Sequence, residues 1–138
     1  MSKPRLLDLF CGAGGAAVGY HRAGFEVVGV DHKPQPRYPF EFHQADALTF
    51  PLNGFDAIHA SPPCQAYAVM RSLKHPKEHL ELIEPTRDRL LVSALPYVIE
   101  NVPGAPLRDY VTLCGSMFGL RSHRGYLRRH RLFEMGGT

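Results

Sequence analysis

The chain has 138 residues, 44% of them hydrophobic and 21% charged, and a formal net charge of +3. That length and balance fit one soluble domain, residues 1–138, with a real core, and exclude a low-complexity chain. No apolar run approaches the length of a membrane span, no secretory signal pattern opens the sequence, and three cysteines without a CxxC pair exclude a zinc ribbon or a redox pair, so a reducing, cytoplasmic setting is expected.

Arg5 to Phe10 reads as a buried strand. It breaks into Cys11-Gly12-Ala13-Gly14-Gly15, and Ala16, Ala17, Val18 and Tyr20 then continue as a helix stopped by Gly24. Strand, glycine turn and helix together make a place where a ligand meets backbone amides and the positive end of a helix dipole. Glu26 to Val30 is the second strand. It ends in Asp31, nineteen residues after Gly12. A carboxylate there is the usual partner of two ribose hydroxyls. Glycine turn plus acid indicates a nucleoside cofactor, and NAD, FAD and S-adenosylmethionine all fit.

Three prolines between Lys33 and Pro39 make that stretch an extended connection. Phe40 to Gln44 alternates and predicts the third strand. Asp46 follows at the same sheet edge as Asp31, suited either to a base amino group or to capping the turn at Ala47-Leu48. Asn53-Gly54 is a turn signal that leads into the fourth strand, Phe55 to Ala60. That strand stops at Ser61-Pro62-Pro63-Cys64-Gln65. Two prolines fix the backbone and remove two donors. Cys64 therefore stands at the lip of a strand, where a thiolate can meet a substrate.

Residues 65–82 are mixed and polar, with Arg71, Lys74 and Lys77, and read as a long functional segment. His75 and His79 have a metal-ligand spacing, but Pro76 lies between them and no third ligand accompanies them, so no metal is expected. Pro85 suits the first turn of a helix to about Ala94, with Leu90, Leu91 and Ala94 on one face. Pro96 to Ile99 is the fifth strand, ending in Glu100-Asn101-Val102. Tyr110 to Cys114 is a sixth, with Cys114 in the core. Arg131 to Glu134 is a short last strand. Residues 121–131 hold five arginines, two histidines and no acid, which points to phosphate or another anion, or else to a solvated tail. Strands and helices in this order predict an α/β domain with a largely parallel sheet, whose ligands lie at the carboxyl ends of the strands.

Four of these stretches, in order, resemble the C5-cytosine DNA methyltransferase family. Asp8-Leu9-Phe10-Cys11-Gly12-Ala13-Gly14-Gly15 is similar to its cofactor motif, Ser61-Pro62-Pro63-Cys64-Gln65 to its nucleophile motif, Glu100-Asn101-Val102 to its catalytic acid motif, and Arg129-His130-Arg131 to its later two-arginine motif. The resemblance implies a Rossmann-like methyltransferase fold and S-adenosyl-L-methionine as cofactor. It implies Phe10 against the adenine with His32 beside it, Gly12, Ala13, Gly14 and Gly15 along the methionine part, Asp31 on the ribose, Asp46 on the adenine amino group, and Pro62 on the cofactor side.

The resemblance also implies a reaction. Cytosine C5 is a poor nucleophile; a Cys64 thiolate adding to C6 makes C5 able to take the methyl group. Glu100 holds N3 and the exocyclic amine. Arg129 and Arg131 favour the thiolate and hold the carbonyl. Pro63, Gln65 and Asn101 fall on the substrate side, and Arg71 meets phosphate. The partner is cytosine-containing duplex DNA, with the target base flipped out. Leu127 stands where the family usually has glutamine. The family's target-recognition region and final motif have no counterpart before Thr138, so a fragment, a minimal variant or a second chain supplying that part is expected. The same chemistry on RNA, or a binding remnant without turnover, are the rival readings.

Overall fold

The computed structural model describes residues 2–63, 82–126 and 128–137. Cys64, Gln65, Arg71, the pair His75 and His79, and Leu127 lie outside the described residues.

The first strand, β1, covers Arg5–Leu9, and helix α1 covers Gly15–Arg22. The helix ends as expected at Gly24. The Gly24 N–H donates to His21 O and the Phe25 N–H to Tyr20 O, while the Tyr20 and Phe25 rings meet edge-on. This double bond with its apolar contact is a Schellman ending. Strands β2 (Glu26–Asp31), β3 (Glu41–Gln44) and β4 (Ala57–Ala60) follow, then helix α2 (Ile83–Ser93) and β5 (Tyr97–Asn101). Beyond these come β6 (Val111–Cys114), a 3₁₀ turn at Gly115–Phe118, a small hairpin of β7 (Arg121–Ser122) and β8 (Gly125–Tyr126), and β9 (His130–Gly136).

Among the described residues, seven strands form one sheet in the order β3-β2-β1-β4-β5-β9-β6. The pairs β3-β2, β2-β1, β1-β4 and β4-β5 are parallel; β9 runs antiparallel to both β5 and β6. The fold is the expected α/β methyltransferase type. The chain reverses its direction of travel across the sheet between β1 and β4, which places a crevice at their carboxyl ends. The arginine-rich stretch is not a plain tail: part of it forms the β7–β8 hairpin, with the Arg121 guanidinium 4.7 Å from the Tyr126 ring centroid.

Alternation along the strands gives the sheet two different faces. On the α2 face, Leu7, Leu9, Val28, Val30, Ile58, Ala60 and Ile99 pack with Ile83 and Leu90. On the α1 face the apolar cluster is smaller, built on Leu6, Val27, Ala17 and Tyr38. Polar side chains occupy the rest of that face. Asp8 on β1 stands in register with His59 on β4, and both are buried.

Helix α2 corrects one expectation. Leu91 and Ala94 face solvent, and the buried stripe is Ile83, Thr86, Arg87 and Leu90. The spacing is helical, but two of its four members are polar. Arg87 is tolerated there because Glu134 of β9 meets it in a two-pronged pair. Its Nε donates to Oε2 at 2.8 Å and its Nη2 to Oε1 at 2.7 Å. The Tyr97 hydroxyl and the Arg108 N–H also donate to Glu134.

Candidate active site

The expected cofactor residues gather where β1 and β2 end. Phe10, just past β1, has φ 55, a left-handed conformation that costs a non-glycine residue free energy. It makes the chain turn at once into Cys11-Gly12-Ala13-Gly14. Gly14 caps α1 with φ 100, and a Cβ there would lie 2.9 Å from Pro39 Cδ and 3.1 Å from the Tyr38 ring. Only glycine fits both the angle and the space. No side chain caps the start of α1, so its first amides remain open to a ligand.

Asp31 is buried at the end of β2. Its Oδ2 accepts from the Gly12 N–H at 3.0 Å and its Oδ1 from the Lys33 N–H at 3.0 Å. The acid thus ties the glycine turn to β2. His32 Nδ1 lies 3.4 Å from Asp31 Oδ1, with an exposed ring. Asp46 is exposed, and its Oδ1 accepts from the Leu48 N–H at 2.9 Å, so it does cap its turn.

The expected substrate residues gather where β4 and β5 end. A cavity of about 300 Å³ is lined by Ser61, Pro62, Pro63, Glu100, Asn101, Val102, Arg129 and Arg131. Glu100 and Arg131 are 31 residues apart in sequence, yet Arg131 Nε lies 3.0 Å from Glu100 Oε1. The antiparallel pairing of β5 with β9 creates this meeting by setting Asn101 opposite Leu132 and Glu100 opposite Phe133. Asn101 faces inward instead. Its Nδ2 donates to Pro62 O at 3.1 Å and its Oδ1 accepts from the Val102 N–H at 2.8 Å. It binds the end of β5 to the end of β4 in the wall of the cavity.

Several polar residues beneath this edge were not singled out from the sequence. Tyr38 folds back from the proline-rich connection and its hydroxyl donates to Asp8 Oδ2 at 3.1 Å. Its ring lies where a Cβ of Gly29 would stand, 2.3 Å from the ring carbon. His59 lies between the Tyr20 hydroxyl and Ser61 Oγ, 2.8 Å from each. The signal for His59 was a histidine inside an otherwise apolar strand, two residues before Ser61 and therefore on the same face. Cys11 is held as a thiol: burial first, then Asp8 and Asp31, push it up to about 12.

Asp8 is pushed up to about 7, chiefly by burial and further by Asp31, while the Tyr38 hydroxyl acts against this. The folded protein therefore keeps the Asp8 proton in a range where the unfolded chain releases it. Stability from this group falls as pH climbs from about 4 to about 7, by about 4 kcal/mol in all. Asp8→Asn keeps an acceptor for Tyr38 and removes the charge. Urea unfolding should show it clearly stabilised at pH 8 and much less so at pH 4.5; an equal effect at both pH values would refute the assignment.

The pattern of these residues has a known counterpart. The model of the C-5 cytosine-specific DNA methylase family matches residues 4–105. The chain belongs to that family. The match takes in β1 to β5 and ends before the arginine motif, which joins the site through β9. Among curated proteins, this methylase-family chain is 30% identical over 112 residues to the type II methyltransferase M.FnuDI of Fusobacterium nucleatum, covering 72% of this chain and 33% of that one. It thus spans about a third of that relative's length. Among solved structures, a Thermoplasma acidophilum protein superposes with a TM-score of 0.60 at 14% identity, covering 97% of this chain and 78% of the other. A Pyrococcus horikoshii protein assigned as an RNA methyltransferase gives 0.57 at 14% identity, covering 97% and 72%. At that identity the likeness is one of fold. No helix among the described residues is long and apolar enough to cross a membrane.

Proposed function

We infer that this chain carries the catalytic machinery of a DNA (cytosine-5)-methyltransferase, moving a methyl group from S-adenosylmethionine to C5 of a cytosine in DNA. The cavity carries the inference. Pro62 and Pro63, Glu100, and Arg129 and Arg131 come from three separate stretches and line one space. Cys64 is the next residue after Pro63.

The residues at the ends of β1 and β2 suit the cofactor. Each Asp31 oxygen accepts one backbone N–H and keeps a lone pair for a ribose hydroxyl. Nothing lies within 4 Å of where a Gly12 Cβ would stand, so the glycine turn is open to a ligand. Gly12, Ala13, Gly14, Gly15 and the free amides of α1 would take the methionine part, Phe10 and His32 would flank the adenine, and Pro62 would close the cofactor side. Asp46 keeps its Oδ2 for the adenine amino group. When bound, S-adenosylmethionine supplies a methyl group activated on sulfur.

The chain's own residues do the rest. The Cys64 thiolate forms a bond to cytosine C6, and the electron pair moves toward C5. Glu100, with a proton toward N3 and an oxygen toward the amine, takes up the change at the ring. Arg129 and Arg131 hold the carbonyl and favour the thiolate. After transfer, a base removes the C5 proton, the C6–S bond breaks and Cys64 is restored. Gln65 and Arg71 would contact the DNA around a flipped base.

Labelled methyl should pass from S-adenosylmethionine to C5 of cytosine in mixed-sequence duplex DNA, and Cys64→Ala should abolish it. Label on adenine, or label that persists in Cys64→Ala, would overturn this chemistry. Asp31→Ala should weaken S-adenosylmethionine binding by at least tenfold in calorimetry, on the order of two lost charge-assisted hydrogen bonds. Unchanged affinity would remove Asp31 from the cofactor site.

A further inference from the structure

Three polar side chains run in a line from beneath α1 to the cavity. Tyr20 Oη lies 2.8 Å from His59 Nδ1, and His59 Nε2 lies 2.8 Å from Ser61 Oγ. His59 is only 3% exposed. Its ring meets the Tyr20 ring edge-on, with centroids 5.2 Å apart. Ser61 is pinned: its N–H donates to Leu9 O at 3.2 Å, and Pro62 follows it. Ser61 also lines the cavity. Continuing the β4–β5 register from Ala60 opposite Ile99, it stands opposite Glu100.

Among the described residues, one assignment of protons gives the Tyr20 hydrogen an acceptor. The Tyr20 hydroxyl keeps its single proton, pushed up to about 12 by burial first, then by Asp8 and Glu100. Among the described residues its hydrogen-bond partner is His59 Nδ1. That nitrogen accepts only in the tautomer whose proton sits on Nε2. The Nε2–H then donates to Ser61 Oγ. In that assignment Ser61's own hydrogen has no acceptor along the line and is left for a group in the cavity that Ser61 lines. Burial holds His59 down at about 4, so it is neutral near pH 7 and a weak proton acceptor. The line orients a donor; it does not supply a base.

We propose that Ser61 is a substrate-contacting residue whose hydroxyl, aimed by His59 and Tyr20, donates a hydrogen bond to an acceptor atom of the base held in the cavity. This rests on the reading of the cavity as a cytosine site. Tyr20 and His59 are positioning residues. A hydroxyl locked as a donor accepts a ring nitrogen or carbonyl and disfavours an amino group at the same place, so the line contributes to base choice. It is also a neutral contact, unlike the arginines.

The test uses the full chain and its Ser61→Ala and Tyr20→Phe variants. The probe is a fluorescein-labelled oligodeoxycytidine strand, compared with the same strand carrying abasic positions. The wild type should prefer the cytosine strand. Ser61→Ala should reduce that preference about 3- to 10-fold, one hydrogen bond's worth, and Tyr20→Phe should reduce it less. Both should bind the abasic strand like the wild type, which a merely structural loss would not spare. Nitrogen-15 NMR of the wild type should show the His59 proton on Nε2. A proton on Nδ1, or full preference retained in Ser61→Ala, would overturn the proposal. A wild type that does not distinguish the two strands would instead overturn the cytosine reading, and this inference with it. Should Ser61→Ala fail to fold, Tyr20→Phe and the tautomer carry the test.

Discussion

Methyl transfer falls by roughly 10²- to 10⁴-fold in Glu100→Gln, the usual worth of a positioned acid–base group. Glu100 leaves β5 on the α1 face, half-buried, with Arg131 Nε at 3.0 Å. Glutamine keeps its size and still accepts from that guanidinium, so the wall of the cavity stays in place. What disappears is the proton that a carboxyl delivers toward the ring. S-adenosylmethionine binding should be unchanged, because the cofactor residues lie at β1 and β2. Single-turnover transfer of labelled methyl, with a calorimetric binding control, separates the two effects. Loss of transfer smaller than tenfold would remove Glu100 from the chemistry.

Arg87→Ala should cost about 3–5 kcal/mol in unfolding free energy. The pair it breaks is buried on both sides, with 4% and 3% of the side chains exposed. Burial by itself would raise the Glu134 carboxyl, but the Arg87 bonds, the Arg108 N–H and the Tyr97 hydroxyl together hold it below its ordinary value. The wild-type stabilisation is therefore present above the unfolded carboxyl value and is lost as pH falls through the lower folded one. Without Arg87, burial dominates and the stranded carboxyl takes up a proton more readily. The deficit of the variant should then shrink between pH 7 and pH 4 in urea unfolding. A deficit under 1 kcal/mol at pH 7, or one that does not change with pH, would show that the pair adds little.

The same arginine shows where the sequence stopped being legible. An apolar stripe can be read from spacing, but a charged residue inside it looks like an exposed one until its partner is known. Glu134 is 47 residues away, and nothing local links the two. Leu91 and Ala94 took the place of Arg87 and Thr86 in the sequence reading for that reason. Four of the five parallel strands were legible as short, mainly apolar runs bounded by glycine, proline or acid, and β3 by its alternation. Phe10 to Gly15, Asp31 and Glu100 were legible as candidates because they stand at the carboxyl ends of such runs. His59 and Asp8 were hidden inside the runs themselves. Tyr38 was hidden because a proline-rich connection gives no hint that its aromatic side chain folds back under the sheet. The closeness of Arg131 to Glu100 followed from the motifs by resemblance only; its physical cause is the reversed strand β9.

That strand also governs the order in which the molecule can be finished. β9 lies between β5 and β6 although it comes after both in the chain. As the polypeptide leaves the ribosome, β1 to β5 can assemble as soon as each emerges. β6 cannot: its sheet neighbour is β9, so residues 111–114 must wait for residues 130–136. Arg129 and Arg131 arrive with that insertion, and Glu134 reaches Arg87 in the same step. A nascent chain can therefore form the edge that holds Gly12 and Asp31 before the one that holds Glu100, and the cavity between Glu100 and Arg131 closes only when β9 slides into the gap.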